Sequence, residues 1–149
     1  MSDHYLRLVP ADPRWRAAPE AAKAATRILA EMLPAAEDIR AHHEDGVVFY
    51  DAGSNTERIA CPACGADLDD WWGDAMEKAY ATGFRDLTVV TPCCAAKSSL
   101  NDLVYVWPAA FGAFALEARN PGISAITDSQ RADLERALGS PLKIVWQHI

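Results

Sequence analysis

Cys61-Pro62-Ala63-Cys64-Gly65 and Thr91-Pro92-Cys93-Cys94 hold all four cysteines of the chain, and their reading divides the molecule into a core and a stapled segment. In the first run two thiolates three residues apart converge on one ion. Pro62 stiffens the turn, and Gly65 takes the positive φ that closes it. Backbone N–H groups in such a turn bond the sulfurs and offset their charge. The second run is less regular. Neighbours on an extended strand point to opposite faces, so Cys93 and Cys94 reach one ion only if the backbone turns at Pro92.

Twenty-eight residues separate Cys64 from Cys93, and both clusters follow strand-like runs, Arg58-Ile59-Ala60 and Leu87-Thr88-Val89-Val90. The arrangement resembles a zinc ribbon, and the expected site is a structural Zn²⁺ held by Cys61, Cys64, Cys93 and Cys94. Three alternatives stay open at this level. Three cysteines could be completed by His42, His43 or Asp102. The thiols could be unmetallated, or Cys61 and Cys64 could be a redox pair next to a helix start. A catalytic Zn²⁺ would need an open position and a base such as Glu57.

Outward from the cysteines, Asp67 is placed to cap a helix. Leu68, Trp71, Trp72, Ala75, Met76, Ala79 and Tyr80 follow at helical spacing, and Gly83 closes it. Core packing is the expected role of Trp71 and Trp72, with an exposed contact patch as the alternative. The acidic cluster Asp67, Asp69, Asp70 and Asp74 suits the helix dipole, or a basic partner.

Toward the N-terminus, His4 to Val9 alternates as a strand, with Tyr5, Arg7 and Val9 on one face and Leu6 and Leu8 on the other. Pro19 opens a helix that Pro34 stops. Glu37 to His43 and Gly46 to Asp51 read as two strands joined by a tight turn at Glu44-Asp45-Gly46. Adjacent His42 and His43 would face opposite ways.

Toward the C-terminus, Leu103 to Trp107 reads as a strand and Pro108 to Arg119 as a short helix. Thr127-Asp128-Ser129-Gln130 is a capping box for a helix ending at Gly139. Pro141 to Ile149 is a last strand with Leu142, Ile144 and Trp146 on one face. The expected architecture over 1–149 is one α+β domain with a ferredoxin-like split βαβ core. Residues 56–100 would be an inserted zinc-ribbon-like segment carrying one helix.

The totals narrow the function classes. With 149 residues, half of them apolar, one ordinary core can form. A formal charge of −7 disfavours nucleic acid and anionic membranes as partners and suits a basic protein partner. Near the cysteines only Arg58, Arg85 and Lys97 are basic. The N-terminus lacks a signal-peptide pattern and no run reaches membrane-span length, so a cytoplasmic location is expected. There clustered cysteines are metal ligands rather than disulfides. Arginine outnumbers lysine ten to four and alanine is abundant, which fits a GC-rich bacterial genome. Phosphate-loop, Ser-His-Asp and nucleophile-elbow patterns are missing.

Cys61-Pro62-Ala63-Cys64-Gly65, Trp71-Trp72-Gly73, Thr91-Pro92-Cys93-Cys94 and Ser99-Leu100-Asn101-Asp102-Leu103 together look like a group of small uncharacterised actinobacterial proteins. The resemblance spans most of the chain and implies no particular activity. Size, acidity and mixed α/β content are similar to those of immunity proteins of bacterial toxin systems. The expected function is therefore a non-enzymatic interaction protein with a structural Zn²⁺. A zinc-dependent hydrolase and a zinc-ribbon nucleic-acid binder are the alternatives.

Overall fold

The computed structural model describes residues 2–149, and its architecture is mixed α+β. Strands β1 (His4–Pro10), β2 (Asp38–Tyr50), β7 (Ala110–Arg119) and β8 (Leu142–His148) form a sheet in the order β2-β7-β1-β8. Every neighbouring pair is antiparallel. Helices α1 (Pro19–Met32) and α3 (Asp128–Leu138) pack on one face. Leu6, Leu8, Phe114, Leu116 and Leu142 of the sheet meet Ala22, Ala25, Leu29, Leu134 and Leu138 of the helices there. Burying each of these leucines and Phe114 stabilises the fold by about 1.5–3 kcal/mol. No helix among the described residues is long and apolar enough to cross a membrane.

Local chemistry sets the helix ends. Pro19 sits in the first turn of α1, where its missing N–H costs nothing. Thr127 accepts from the Gln130 N–H, and the Gln130 side chain accepts from the Thr127 N–H, so the capping box at α3 is complete. Gly139 ends α3 at φ +90°.

The runs expected as a tight turn and as a short helix are both strand. Glu44-Asp45-Gly46 is not a hairpin turn. The chain runs through it as one strand, β2, whose register on β7 slips between His43 and Val48. Arg16 donates to the Glu44 and Asp45 carbonyls, which satisfies acceptors that the bulge frees from the ladder. Pro108 to Arg119 is not a helix either. Ala110 to Ala118 are all buried within β7, so the run has no polar face to alternate with its apolar one.

What buries the second face of β7 is its own ribbon. Past the bulge β2 and β7 curl back across the sheet, and Val48 and Tyr50 join Val9, Ala115 and Val145. The chain then reaches the far edge, where Gly53 bridges His148 and Asp51 accepts from the Gln147 amide at 2.9 Å. Under this ribbon Arg7 donates to Glu117 at 2.9 Å and to Gln147 at 2.5 Å.

Between β2 and β7 the chain makes an excursion from 58 to 106. It holds β3 (Arg58–Ala60), α2 (Asp69–Ala81), β4 (Thr88–Val90), β5 (Lys97–Ser99), a 3₁₀ turn (Leu100–Asp102) and β6 (Val104–Val106). β3 pairs with β6 and β4 with β5, both antiparallel. These elements enclose a second core of Ile59, Leu68, Ala75, Leu87, Leu100 and Tyr105, into which Phe111 of β7 projects. Trp71 and Trp72 are half-buried against it, and the Trp72 indole N–H reaches the Tyr105 hydroxyl at 3.2 Å. Tyr80 lies outside, 72% exposed.

Asp67 is not the cap of α2. Leu68, buried in the second core, takes that position, and Asp67 instead accepts the Asp69 N–H at 2.8 Å.

Candidate metal centre

The strands β3 and β4 each end in a tight turn, and the two turns face one another across the cysteines. In the first, Cys61 N–H bonds Ala66 O and Gly65 N–H bonds Cys61 O, both at 2.9 Å, with Gly65 at φ +77°. In the second, Thr91 N–H bonds Ala96 O at 3.0 Å and Ala95 N–H bonds Thr91 O at 2.9 Å, with Ala95 at φ +56°. The backbone thus turns after Pro92, as the adjacent pair Cys93 and Cys94 requires to reach one centre.

The four sulfurs lie within 4.8 Å of one another, and none is in a disulfide. Cys61 Sγ is 3.8 Å from Cys94 Sγ, Cys93 Sγ is 3.9 Å from Cys94 Sγ, and Cys64 Sγ is 3.3 Å from Cys93 Sγ. A tetrahedron built on metal–sulfur bonds of about 2.3 Å has edges of about 3.8 Å. Two of the three distances match that edge, and the third needs a sub-ångström adjustment. The four cysteines are therefore close enough to hold a metal ion. Among the described residues they form the one group of ligand-type side chains gathered this closely.

Electrostatics favour a cation at the centre. The Cys64 N–H pulls the Cys61 thiol down to about 6; burial opposes this, and the Thr91 hydroxyl and Ala63 N–H assist it. The Ala66 N–H likewise lowers Cys64, but the crowd of neighbouring sulfurs outweighs it and pushes that thiol up. One sulfur ionises readily and its neighbour then resists, a repulsion that a divalent cation relieves.

The other ligand candidates lie elsewhere. His42 and His43 do face opposite sides of the main sheet. His42 Nε2 sits 2.9 Å from Glu117 Oε2, without the alignment of a hydrogen bond, and the His43 ring meets Phe114 at 5.0 Å. Asp102 stands beside Lys143, whose amine burial pushes down and Asp102 raises. Glu57 is exposed and uses its N–H on Val106 O.

Thr91 is the residue that motif reading passed over. It is 1% exposed, and its hydroxyl lies 3.5 Å from Cys94 Sγ and 3.6 Å from Cys61 Sγ. The signal was present: Thr91-Pro92 repeats Cys61-Pro62.

Five cavities of about 270–770 Å³ open elsewhere on the protein, and none of them is lined by a cysteine. No family model, curated protein or solved structure matches this chain.

Proposed function

We propose that this chain is a non-enzymatic interaction protein whose structural Zn²⁺, bound by Cys61, Cys64, Cys93 and Cys94, shapes an acidic surface for a basic protein partner. The observation that carries the reading is the sulfur cage itself. It is an all-thiolate set, which suits a structural ion better than one that activates water. Four thiolates match Zn²⁺ in softness and geometry. The charge of −7 supplies complementarity to a basic partner, as an immunity or inhibitor-type protein requires. A cytoplasmic setting, where thiols stay reduced, belongs to the same reading, as does kinship with the small actinobacterial proteins whose motifs the chain resembles.

The reading extends to the fold. The main sheet with α1 and α3 is taken as a ferredoxin-like split βαβ core, supported by the order β2-β7-β1-β8 and by both helices lying on one face. The excursion with its two turns is taken as a zinc-ribbon-like insertion.

Metal analysis of the purified protein is the first test. About one zinc per chain is expected, lost in Cys61→Ser and in Cys64→Ser together with part of the thermal stability. Unchanged metal content and melting in both variants would refute the structural zinc. Zinc-dependent turnover across a broad substrate panel would refute the non-enzymatic reading in favour of a hydrolase. For the partner, binding of a basic protein captured from the native cell is expected to weaken with salt.

A further inference from the structure

The two turns of the centre are copies of one design. Aligned residue for residue, Cys61-Pro62-Ala63-Cys64-Gly65-Ala66 lies against Thr91-Pro92-Cys93-Cys94-Ala95-Ala96. The alignment is structural as well as verbal. The first residue of each donates its N–H to the carbonyl of the sixth, at 2.9 and 3.0 Å, and the fifth donates to the carbonyl of the first, at 2.9 Å in both. The fifth residue of each has left-handed φ, +77° at Gly65 and +56° at Ala95. Burial repeats as well: the first residue is buried, the next four are exposed and the sixth is intermediate in both turns.

In such a turn the first and fourth residues are the ligands. Cys61 and Cys64 fill both places in the first turn. In the second, Cys94 fills the fourth place and Thr91 stands in the first. Thr91 keeps the orientation that place imposes, with its hydroxyl 3.5–3.6 Å from the sulfurs of Cys94 and Cys61. An alcohol is a poor substitute for a thiolate on a soft cation. Cys93 occupies the third place, which in the first turn belongs to Ala63 and carries no ligand. Its sulfur still reaches Cys64 Sγ at 3.3 Å and Cys94 Sγ at 3.9 Å.

We propose that Cys61, Cys64 and Cys94 are the permanent ligands of the centre and that Cys93, standing in for the corner vacated at Thr91, is an exchangeable fourth ligand whose place a small outside thiolate can take. This rests on the metal-site reading above and deepens it. Three thiolates from two rigid turns keep the ion and the fold, while the fourth corner is held by a residue the turn does not preorganise. Exchange there replaces one metal–sulfur bond by another, with the incoming thiol losing its proton and Cys93 regaining one, so no oxidant or reductant is involved. The Thr91 hydroxyl stays beside the Cys61 and Cys94 sulfurs as a hydrogen-bond donor to those thiolates.

The test uses Co²⁺ as a coloured probe in the full-length protein, with sulfur-to-cobalt charge transfer counting thiolates and chelator competition measuring retention. Cys61→Ala, Cys64→Ala and Cys94→Ala are expected to lose the tetrahedral spectrum. Cys93→Ala is expected to keep the ion with one thiolate fewer, and added 2-mercaptoethanol is expected to restore the four-thiolate intensity. The double variant Thr91→Cys/Cys93→Ala rebuilds both turns as identical pairs, and it should recover that intensity with no added thiol. If Cys93→Ala loses Co²⁺ as completely as Cys64→Ala, or if the double variant fails to recover the fourth thiolate, the hierarchy is wrong while the metal site stands. If the unaltered protein takes up no Co²⁺ or Zn²⁺, the metal reading itself falls.

Discussion

Gly112 lies in the curled ribbon against Val9 of the main sheet, and it is glycine for lack of room. A Cβ there would stand 2.6 Å from Val9 Cγ1 and 3.2 Å from the Phe114 carbonyl oxygen. Gly112→Ala is expected to destabilise the protein by about 1–3 kcal/mol, read from denaturant midpoints. Beneath the same ribbon, the Arg7 and Glu117 side chains are 14% and 10% exposed and joined at 2.9 Å. Burial pushes the Glu117 carboxyl up, and contacts with His42 and Arg7 more than offset it, leaving it below the usual carboxylate range. A carboxyl with a lowered folded-state value stabilises fully above its unfolded value, near 4.5, and that contribution is lost as pH falls through the lower folded value. Glu117→Gln is therefore expected to cost about 1–3 kcal/mol near neutrality, because it removes the charge partner of a half-buried guanidinium. Its stability should also fall less than that of the unaltered protein as pH drops from neutrality through the carboxylate range. Equal pH dependence in the two proteins would show that Glu117 carries none of it. The sequence shows the alternation that puts Arg7 on one face, but Glu117 reaches Arg7, and His42 reaches Glu117, only through the pairing of β7 with β1 and β2.

At the level of elements, α3 was fully legible because its signals are local: a capping box at one end and a glycine at the other. The strand β7 was not. Its alanines and proline start suit a helix as well as a strand, and burial on both faces removes the period that would separate the two. The hairpin expected at Glu44-Asp45-Gly46 failed for a related reason. Turn-forming residues also suit a bulge, and Arg16, distant in sequence, supplies the donors that decide between them. The two cysteine turns lie between these extremes. Their shapes are local, and the left-handed residue is the fifth in both. Ala95 holds φ +56° with a side chain, where Gly65 holds +77° without one. Ala95→Gly is accordingly expected to raise stability by about 1 kcal/mol and Gly65→Ala to lower it by a similar amount, in paired melts of the metal-loaded protein. The opposite sign at either site would mean the turns are not equivalent.

Across the whole molecule the first and second cores are joined through β7 and Asn101. Phe111 extends from β7 into the second core and meets Phe49 at 4.7 Å and Phe84 at 5.2 Å. Asn101, 4% exposed, accepts the Phe111 N–H at 2.9 Å and donates to the Ala11 carbonyl at 3.1 Å, while its own carbonyl takes the Lys143 amine at 2.5 Å. The first core closes without any cysteine, whereas Cys61 is itself part of the second. Chelation is therefore expected to release amide protection across 58–106 in hydrogen exchange while β1, β8 and the C-terminal half of β7 stay protected. Simultaneous loss of protection in both would mean that the two cores unfold as one unit.

The sequence alone determined what is local: the helices α1 and α3 with the residues that bound them, the alternation of β1 and β8, and the turn chemistry that places each cysteine at a bend. Short-range sterics and hydrogen bonds set all of these. Tertiary structure alone decided what depends on residues far apart: the strand identity of β7, the curl of its ribbon over the sheet, and the closing of four sulfurs and Thr91 around one point. The reason is that a fully buried strand carries no period of its own. A shared centre likewise exists only once β3 and β4 bring two turns, thirty residues apart in the chain, face to face.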